Sequence, residues 1–225
     1  MKLQIEMVSD LVCPWCWVGL RRFQGAVALV PELEIELLFR PFELDPTIPA
    51  GGVDYKEYMK QRFGSDQSKD RANQMRDTLI QYGEDEGIPF AFDRITRRPS
   101  SFNAHRLVRW AQGQSLGLAA KEALFEAYFA KGQDIGDHEV LVTLASKIGL
   151  DSNLVSDLLA GDADVENTQQ EQQMYRQMGI SGVPTFIAHR QIAVQGAESS
   201  EKIARFLRSA AEHKPAEHAP AGASA

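Results

Sequence analysis

At the start of the chain, apolar and polar positions alternate, then step by three and four, then alternate again. Leu3, Ile5 and Met7 are separated by Gln4 and Glu6, the period of a strand. Residues 13–30 carry Leu20, Phe23, Val27 and Val30 on one helical face, and Pro31 ends the run. Leu33, Ile35, Leu37 and Phe39 then alternate as a second strand. A strand, a helix of this length and a second strand predict a βαβ unit with parallel pairing.

After Arg40 the pattern changes. Pro41, Pro46, Pro49, Gly51 and Gly52 mark a turn-rich connection. From Asp54 to about Met178 the periodicity is almost wholly helical, beginning with a capping-box-like pair, Asp54 and Glu57. Successive faces are Ala72, Met75, Leu79 and Tyr82, then Ala104, Leu107, Val108 and Ala111, then Leu124, Phe125, Tyr128 and Phe129. Leu141, Leu144, Ala145 and Ile148 follow, with Asp137 as N-cap and Gly149 as stop. A short helix around Leu154 to Leu159 and a polar one from about Asp164 to Met178, ended by Gly179, complete the block.

Strand signals return at Pro184–Ala188 and Gln191–Val194. The two residues between them, His189 and Arg190, fit a tight hairpin by spacing but not by residue type. Ile203, Phe206, Leu207 and Ala210 make a last helix, and Lys214 to Ala225 reads as a disordered tail. The layout is an α/β protein in which a helical domain (51–164) is inserted into a discontinuous domain (1–50 and 165–212), with a tail over 213–225.

A length of 225 residues with 44% hydrophobic content suits one large domain or a domain with an insertion. The net charge of −7 argues against nucleic acid or an anionic membrane as the main partner. Glu6 and Asp10 interrupt any signal-peptide core, and no stretch approaches the ~20 apolar residues of a membrane span. The expected location is therefore the cytoplasm, where structural disulfides are rare.

The two cysteines exclude a disulfide scaffold and a zinc site built from four cysteines. They stand at Cys13 and Cys16, with Pro14 and Trp15 between, where the first helix begins. At a helix N-terminus the unpaired N–H groups and the macrodipole favour a thiolate, so Cys13 is the expected attacking group. Cys16, one turn inside and more shielded, is the expected resolving thiol. Pro14 suits the first helical position, and Trp15 is placed to limit solvent access and contact a substrate. The competing readings are two ordinary packed cysteines or half of a zinc site. Of the five histidines, only His213 and His218 have ligand-like spacing, and they fall at the edge of the tail. No bound metal or cofactor is expected.

A second signal is Pro184, at the entrance to a strand after Gly179-Ile180-Ser181-Gly182-Val183. An X-Pro bond there is compatible with either isomer. If cis, it would turn the Val183 N–H and C=O outward to pair with an extended substrate. If trans, it merely separates helix from strand.

Cys13-Pro14-Trp15-Cys16 after a first strand, a long helical insertion, and Gly182-Val183-Pro184-Thr185-Phe186 before a hairpin resemble the DsbA-like branch of the thioredoxin superfamily. Ser9 to Gly19, Arg40 to Leu44, Asn103 to Leu107 and Gly179 to Phe186 are similar to its FrnE-like group, which is related to 2-hydroxychromene-2-carboxylate isomerases. The resemblance spans about residues 2–210. It implies a thioredoxin-like fold with a helical insertion, a cis-proline loop facing the cysteines, and an insertion that lies over the site and brings His105 or Asn103 near it. Isomerases of this kind usually carry Ser at the position of Cys13, so Cys here favours electron exchange.

The expected activity is thiol–disulfide exchange with protein thiols or disulfides, or with glutathione as co-substrate, by a monomer or homodimer. The alternatives are a glutathione-dependent isomerase or transferase of an aromatic small molecule, and a client-binding chaperone. Other candidates have plainer uses. His105 reads as a packed histidine and Asn103 as a helix cap. Asp10 is a loop cap or a proton shuttle to Cys16. Arg21, Arg22, Arg97 and Arg98 are surface charge or a lure for anionic thiols. Tyr128 and Phe129 read as core.

Overall fold

The computed structural model describes residues 2–213, the side chains of residues 66 and 67 excepted. The stretch 214–225, with His218, lies outside the described residues; His213 is exposed at the end of the last helix.

Strand β1 (Leu3–Ser9) runs through the middle of a four-stranded sheet ordered β2-β1-β5-β6. It pairs in parallel with β2 (Ile35–Pro41), Leu3 opposite Ile35 and Ser9 opposite Pro41. On its other side it pairs antiparallel with β5 (Thr185–Ala188), Met7 opposite Phe186, and β5 turns back into β6 (Ile192–Gln195). The parallel pair is joined by helix α1 (Pro14–Ala28), as the strand–helix–strand pattern requires.

The alternation in β1 sends Leu3, Ile5 and Met7 into the main core, with Leu20 and Phe23 of α1 and Ile203 and Leu207 of α9 (Ser200–Glu212). Val8 faces the other way, into a smaller cluster with Phe42, Ile187 and Tyr175 of α8 (Val165–Gln177). A central strand thus buried on both faces tolerates Glu6 only because the carboxylate is paired: Arg40 Nη2 lies 2.7 Å away and the Tyr175 hydroxyl donates to it at 3.1 Å.

The boundaries differ from the periodic reading where turns intervene. Leu33, apolar and in phase with β2, has its N–H held by Val30 C=O in the turn, so the strand begins two positions later. The hairpin forms with His189 at φ 53° and Arg190 at φ 57°, both left-handed. They are the central residues of a turn closed by the Gln191 N–H on the Ala188 C=O at 3.1 Å, and since Ala188 pairs with Ile192 the strands are separated by three residues rather than the two expected.

Between β2 and β5 the chain is mainly helical: α2 (Tyr55–Phe63), α3 (Asp66–Glu86), α4 (Phe102–Gly113), α5 (Gly117–Phe125), α6 (His138–Lys147) and α7 (Ser152–Ala160), before α8. Asp54 and Asp137 cap α2 and α6 through the N–H groups of Glu57 and Val140. Periodicity missed a two-residue ribbon, β3 (Val53–Asp54) against β4 (Arg97–Arg98), too short to show a period of two. It also missed the widened turn over Glu126–Ala130, where α5 opens into a π-helix. Among the described residues no helix is long and apolar enough to cross a membrane.

Candidate functional site

The site begins where β1 ends. Asp10 is fully buried, and its carboxylate ties three segments together. Oδ1 accepts from the Val12 N–H at 3.3 Å and the Ser101 hydroxyl at 2.7 Å, and Oδ2 accepts from the Leu44 N–H at 2.8 Å. Its own C=O receives the Cys13 N–H. Burial pushes the carboxyl up, but the imidazole of His105, the Arg98 guanidinium and the Leu44 N–H outweigh it and hold the pKa at about 2. Asp10 is thus a permanent carboxylate that positions the turn before Cys13, which is the capping use. A proton shuttle needs a group that titrates nearer neutrality.

Cys13 is the N-cap of α1, extended at φ −101° and ψ 110°, with Pro14 at the first helical position. Its Sγ lies 3.8 Å from the Val183 carbonyl oxygen, the orientation of a weak S–H donor. The Val183–Pro184 peptide is cis. The Val183 carbonyl oxygen thus lies beside the cysteine sulfur. The two thiols are not bonded to each other. Cys16 is completely enclosed; its pKa is raised well above the ordinary range, by burial first and then by the neighbouring Cys13. The arrangement is asymmetric in the way exchange requires, with one sulfur at a helix terminus and one held back as a thiol.

Gly19, on the next turn of α1, lets Pro184 pack directly on the helix. A methyl there would meet the proline Cγ at 2.7 Å. Gly19→Ala should therefore force Val183–Pro184 away from the cysteines, costing ~1–3 kcal/mol in chemical denaturation and slowing exchange. An alanine variant as stable and as fast as the parent would show that this close approach is unimportant.

Above Cys13 lies a cavity of about 540 Å³. Cys13, Pro14 and Trp15 form its floor, and α2, α3 and the widened turn after α5 form its walls. Trp15 is fixed there by an edge contact with Tyr82 of α3, ring centroids 5.8 Å apart. Tyr128 and Phe129 belong both to the packed core and to the cavity wall. Arg98 also lines the cavity. Arg21 and Arg22 instead pair with Glu122 and Glu86, and Arg97 binds the Gly51 carbonyl.

Val183 and Pro184 lie outside the lining of this cavity, with the Val183 carbonyl oxygen against the Cys13 sulfur. His105 and Asn103 are not part of the lining either. Asn103 sits inside the first turn of α4 and accepts from Arg106 at 2.9 Å, and the cap position belongs to Ser101. His105 is buried, with Nε2 3.7 Å from Asp10. Among the described residues no three histidines, cysteines or carboxylates stand close enough to hold a metal ion.

One further group was invisible in the sequence. Lys121 of α5 is fully buried, and its Nζ has no hydrogen-bond partner among the described residues. It lies 5.3 Å from the centre of the Phe125 ring and 5.7 Å from that of Phe39. It borders a small cavity of about 20 Å³ together with His105 and Thr168, each of which also has an unpaired polar atom. Burial pushes its pKa down to about 8 against the opposing charges of Cys16, Asp10 and Cys13, and its own charge opposes the upward shift of Cys16. A lysine in Leu118-Ala119-Ala120-Lys121-Glu122 reads as a solvated helix residue, so nothing in the pattern marked it.

Comparison with known proteins agrees with this geometry. A protein of Bacillus subtilis (strain 168), YwbO, is 30% identical over 195 residues, which is 83% of this chain and 87% of that protein. The crystal structure of a probable DsbA oxidoreductase from Streptomyces coelicolor, SCO1869, superposes with a TM-score of 0.84 at 30% identity, over 98% of this chain and 95% of that one. The cytosolic disulfide reductase DsbM from Pseudomonas aeruginosa, solved with GSH, shares the fold at a TM-score of 0.63 and 19% identity, over 94% of this chain and all (100%) of that one. The family model of the DSBA-like thioredoxin domain matches residues 4–208. With that match over nearly its whole length, the chain belongs to the DsbA-like thioredoxin domain family.

Proposed function

We propose that the protein is a thiol–disulfide oxidoreductase working through Cys13 and Cys16. The observation that carries this reading is the placement of the two sulfurs: Cys13, 4% exposed, at a helix terminus where it lines a cavity, and Cys16, with no exposed surface, one turn behind it. The Cys13 thiolate attacks one sulfur of a partner disulfide, forming a mixed disulfide and releasing the first thiolate, which takes up a proton. Cys16 gives up its proton and attacks the Cys13 sulfur. The second partner thiolate leaves, and the Cys13–Cys16 disulfide remains. Two electrons pass from the protein to the partner, and the reverse sequence oxidises a partner dithiol. Partners of this chemistry are protein thiols and disulfides, or glutathione, which is bound by a protein of the same fold. The cytosol is the compartment we assign to this exchange, as for that cytosolic reductase.

The test is stoichiometric. Reduced protein treated with one equivalent of oxidised glutathione should lose two protein thiols, with a mass change of about 2 Da, and recover both on adding a dithiol. Titration against glutathione buffers should follow a two-electron curve. A pair that stays reduced, or a final product with glutathione still attached, would defeat the proposal.

A further inference from the structure

The cavity over Cys13 carries a charge pattern opposite to that of the chain. Among the described residues four cations line it (Lys56, Arg62, Arg76 and Arg98) and no carboxylate does, in a protein whose net charge is −7. The rest of the wall is aromatic or aliphatic, including Trp15, Tyr58, Met59, Phe63 and Phe129. Arg98 is buried beneath Tyr58, 5.3 Å from the ring centre, and is partly balanced by Asp10. Arg76 is paired with Asp93 at 2.7 Å. Lys56 and Arg62 of α2 are exposed at the rim, where an approaching ligand meets them first.

A volume of about 540 Å³ is that of a site for a small molecule, walled on several sides by helices.

Resting on the exchange chemistry above, we propose that the substrate held in this cavity is a low-molecular-weight disulfide with an apolar, aromatic body and at least one carboxylate. The body packs on Trp15 and Phe129, the carboxylate is drawn to the Lys56/Arg62 rim, and the disulfide sulfur lies over Cys13. In a single turnover the substrate disulfide gains two electrons and two protons and becomes two thiols. The protein is left as the Cys13–Cys16 disulfide, which an external dithiol restores.

Three disulfides separate charge from shape: 5,5′-dithiobis(2-nitrobenzoate), aromatic and anionic; 4,4′-dithiodipyridine, aromatic and neutral; and cystamine, cationic. Each is mixed with reduced protein, and its rate is divided by its rate with a cysteine-containing model peptide. After that correction, the anionic aromatic disulfide should be favoured by about tenfold over the neutral one, with cystamine slowest. The preference should shrink as salt is raised. Lys56→Glu with Arg62→Glu should reverse the order of the charged pair, whereas Lys202→Glu, on the distant α9, should not.

Equal corrected rates for all three would overturn this inference while leaving the exchange activity standing. A disulfide-bearing peptide that outpaces the anionic probe would also overturn it, in favour of a protein substrate. Failure to react with any disulfide would instead remove the exchange activity itself.

Discussion

Cys13→Ser is expected to reduce disulfide exchange by on the order of 10³-fold or more, because the remaining sulfur, Cys16, has no exposed surface and is held as a thiol by burial. A hydroxyl in that position neither ionises near neutrality nor makes a sulfur–sulfur bond. The fold should be unaffected or slightly firmer. Position 13 is the N-cap of α1, and the cysteine makes no side-chain bond to the first turn. Serine is a favoured N-cap residue, able to accept from an N–H in that turn and contribute about 0.5–1 kcal/mol. Loss of exchange with an equal or raised thermal midpoint therefore separates chemistry from stability. Cys16→Ser should behave differently: Cys13 still attacks, but nothing resolves the product, and the partner remains attached as a mixed disulfide visible by mass. Full exchange by Cys13→Ser would end the assignment of this sulfur as the attacking group.

Cys13 is legible in the sequence because its chemistry is local. A strand period, a helix start and two sulfurs on one turn are written in consecutive residues. The parallel pairing of β1 with β2 and the β5–β6 hairpin were legible for the same reason, since periods of two and 3.6 report which face is buried. What stayed hidden is what the intervening helices bring back to the site. Lys121 on α5 is far from Cys13 in sequence and converges on it only through helix packing, which no spacing rule records; His105 on α4 converges in the same way and was expected there from the family resemblance alone. Asn103 shows the opposite failure: its residue type suggested a cap, but the helix begins two positions earlier than that and Ser101 takes the cap place, its hydroxyl committed to Asp10. The 540 Å³ cavity was also out of reach, because its walls come from α1, α2, α3 and the widened turn after α5 at once.

Lys121→Met should stabilise the protein at neutral pH and slow it as a catalyst. An unpaired ammonium with no exposed surface is costly, and methionine fills nearly the same volume without charge. The pKa near 8, against 10.5 for an ordinary lysine, puts the penalty on the order of 3 kcal/mol. The sign follows from proton counting. Below pH 8 the lysine is charged in both folded and unfolded chains, and the folded state bears the whole cost. Between about 8 and 10.5 the folded chain has released the proton while the unfolded chain keeps it, so the parent gains stability as pH rises. The advantage of Lys121→Met should thus be greatest near pH 6–7 and fade through that window, as read from denaturant midpoints of both proteins in the reduced state. Catalysis should move the other way. Without the cation that favours its thiolate, Cys16 becomes harder to deprotonate, so resolution slows more than the initial attack and the mixed disulfide persists longer. A variant that is less stable at neutral pH, with a deficit independent of pH, would show that the lysine is satisfied where it stands. The outcome expected here instead makes Lys121 a charge retained at a cost in stability for the sake of the second sulfur.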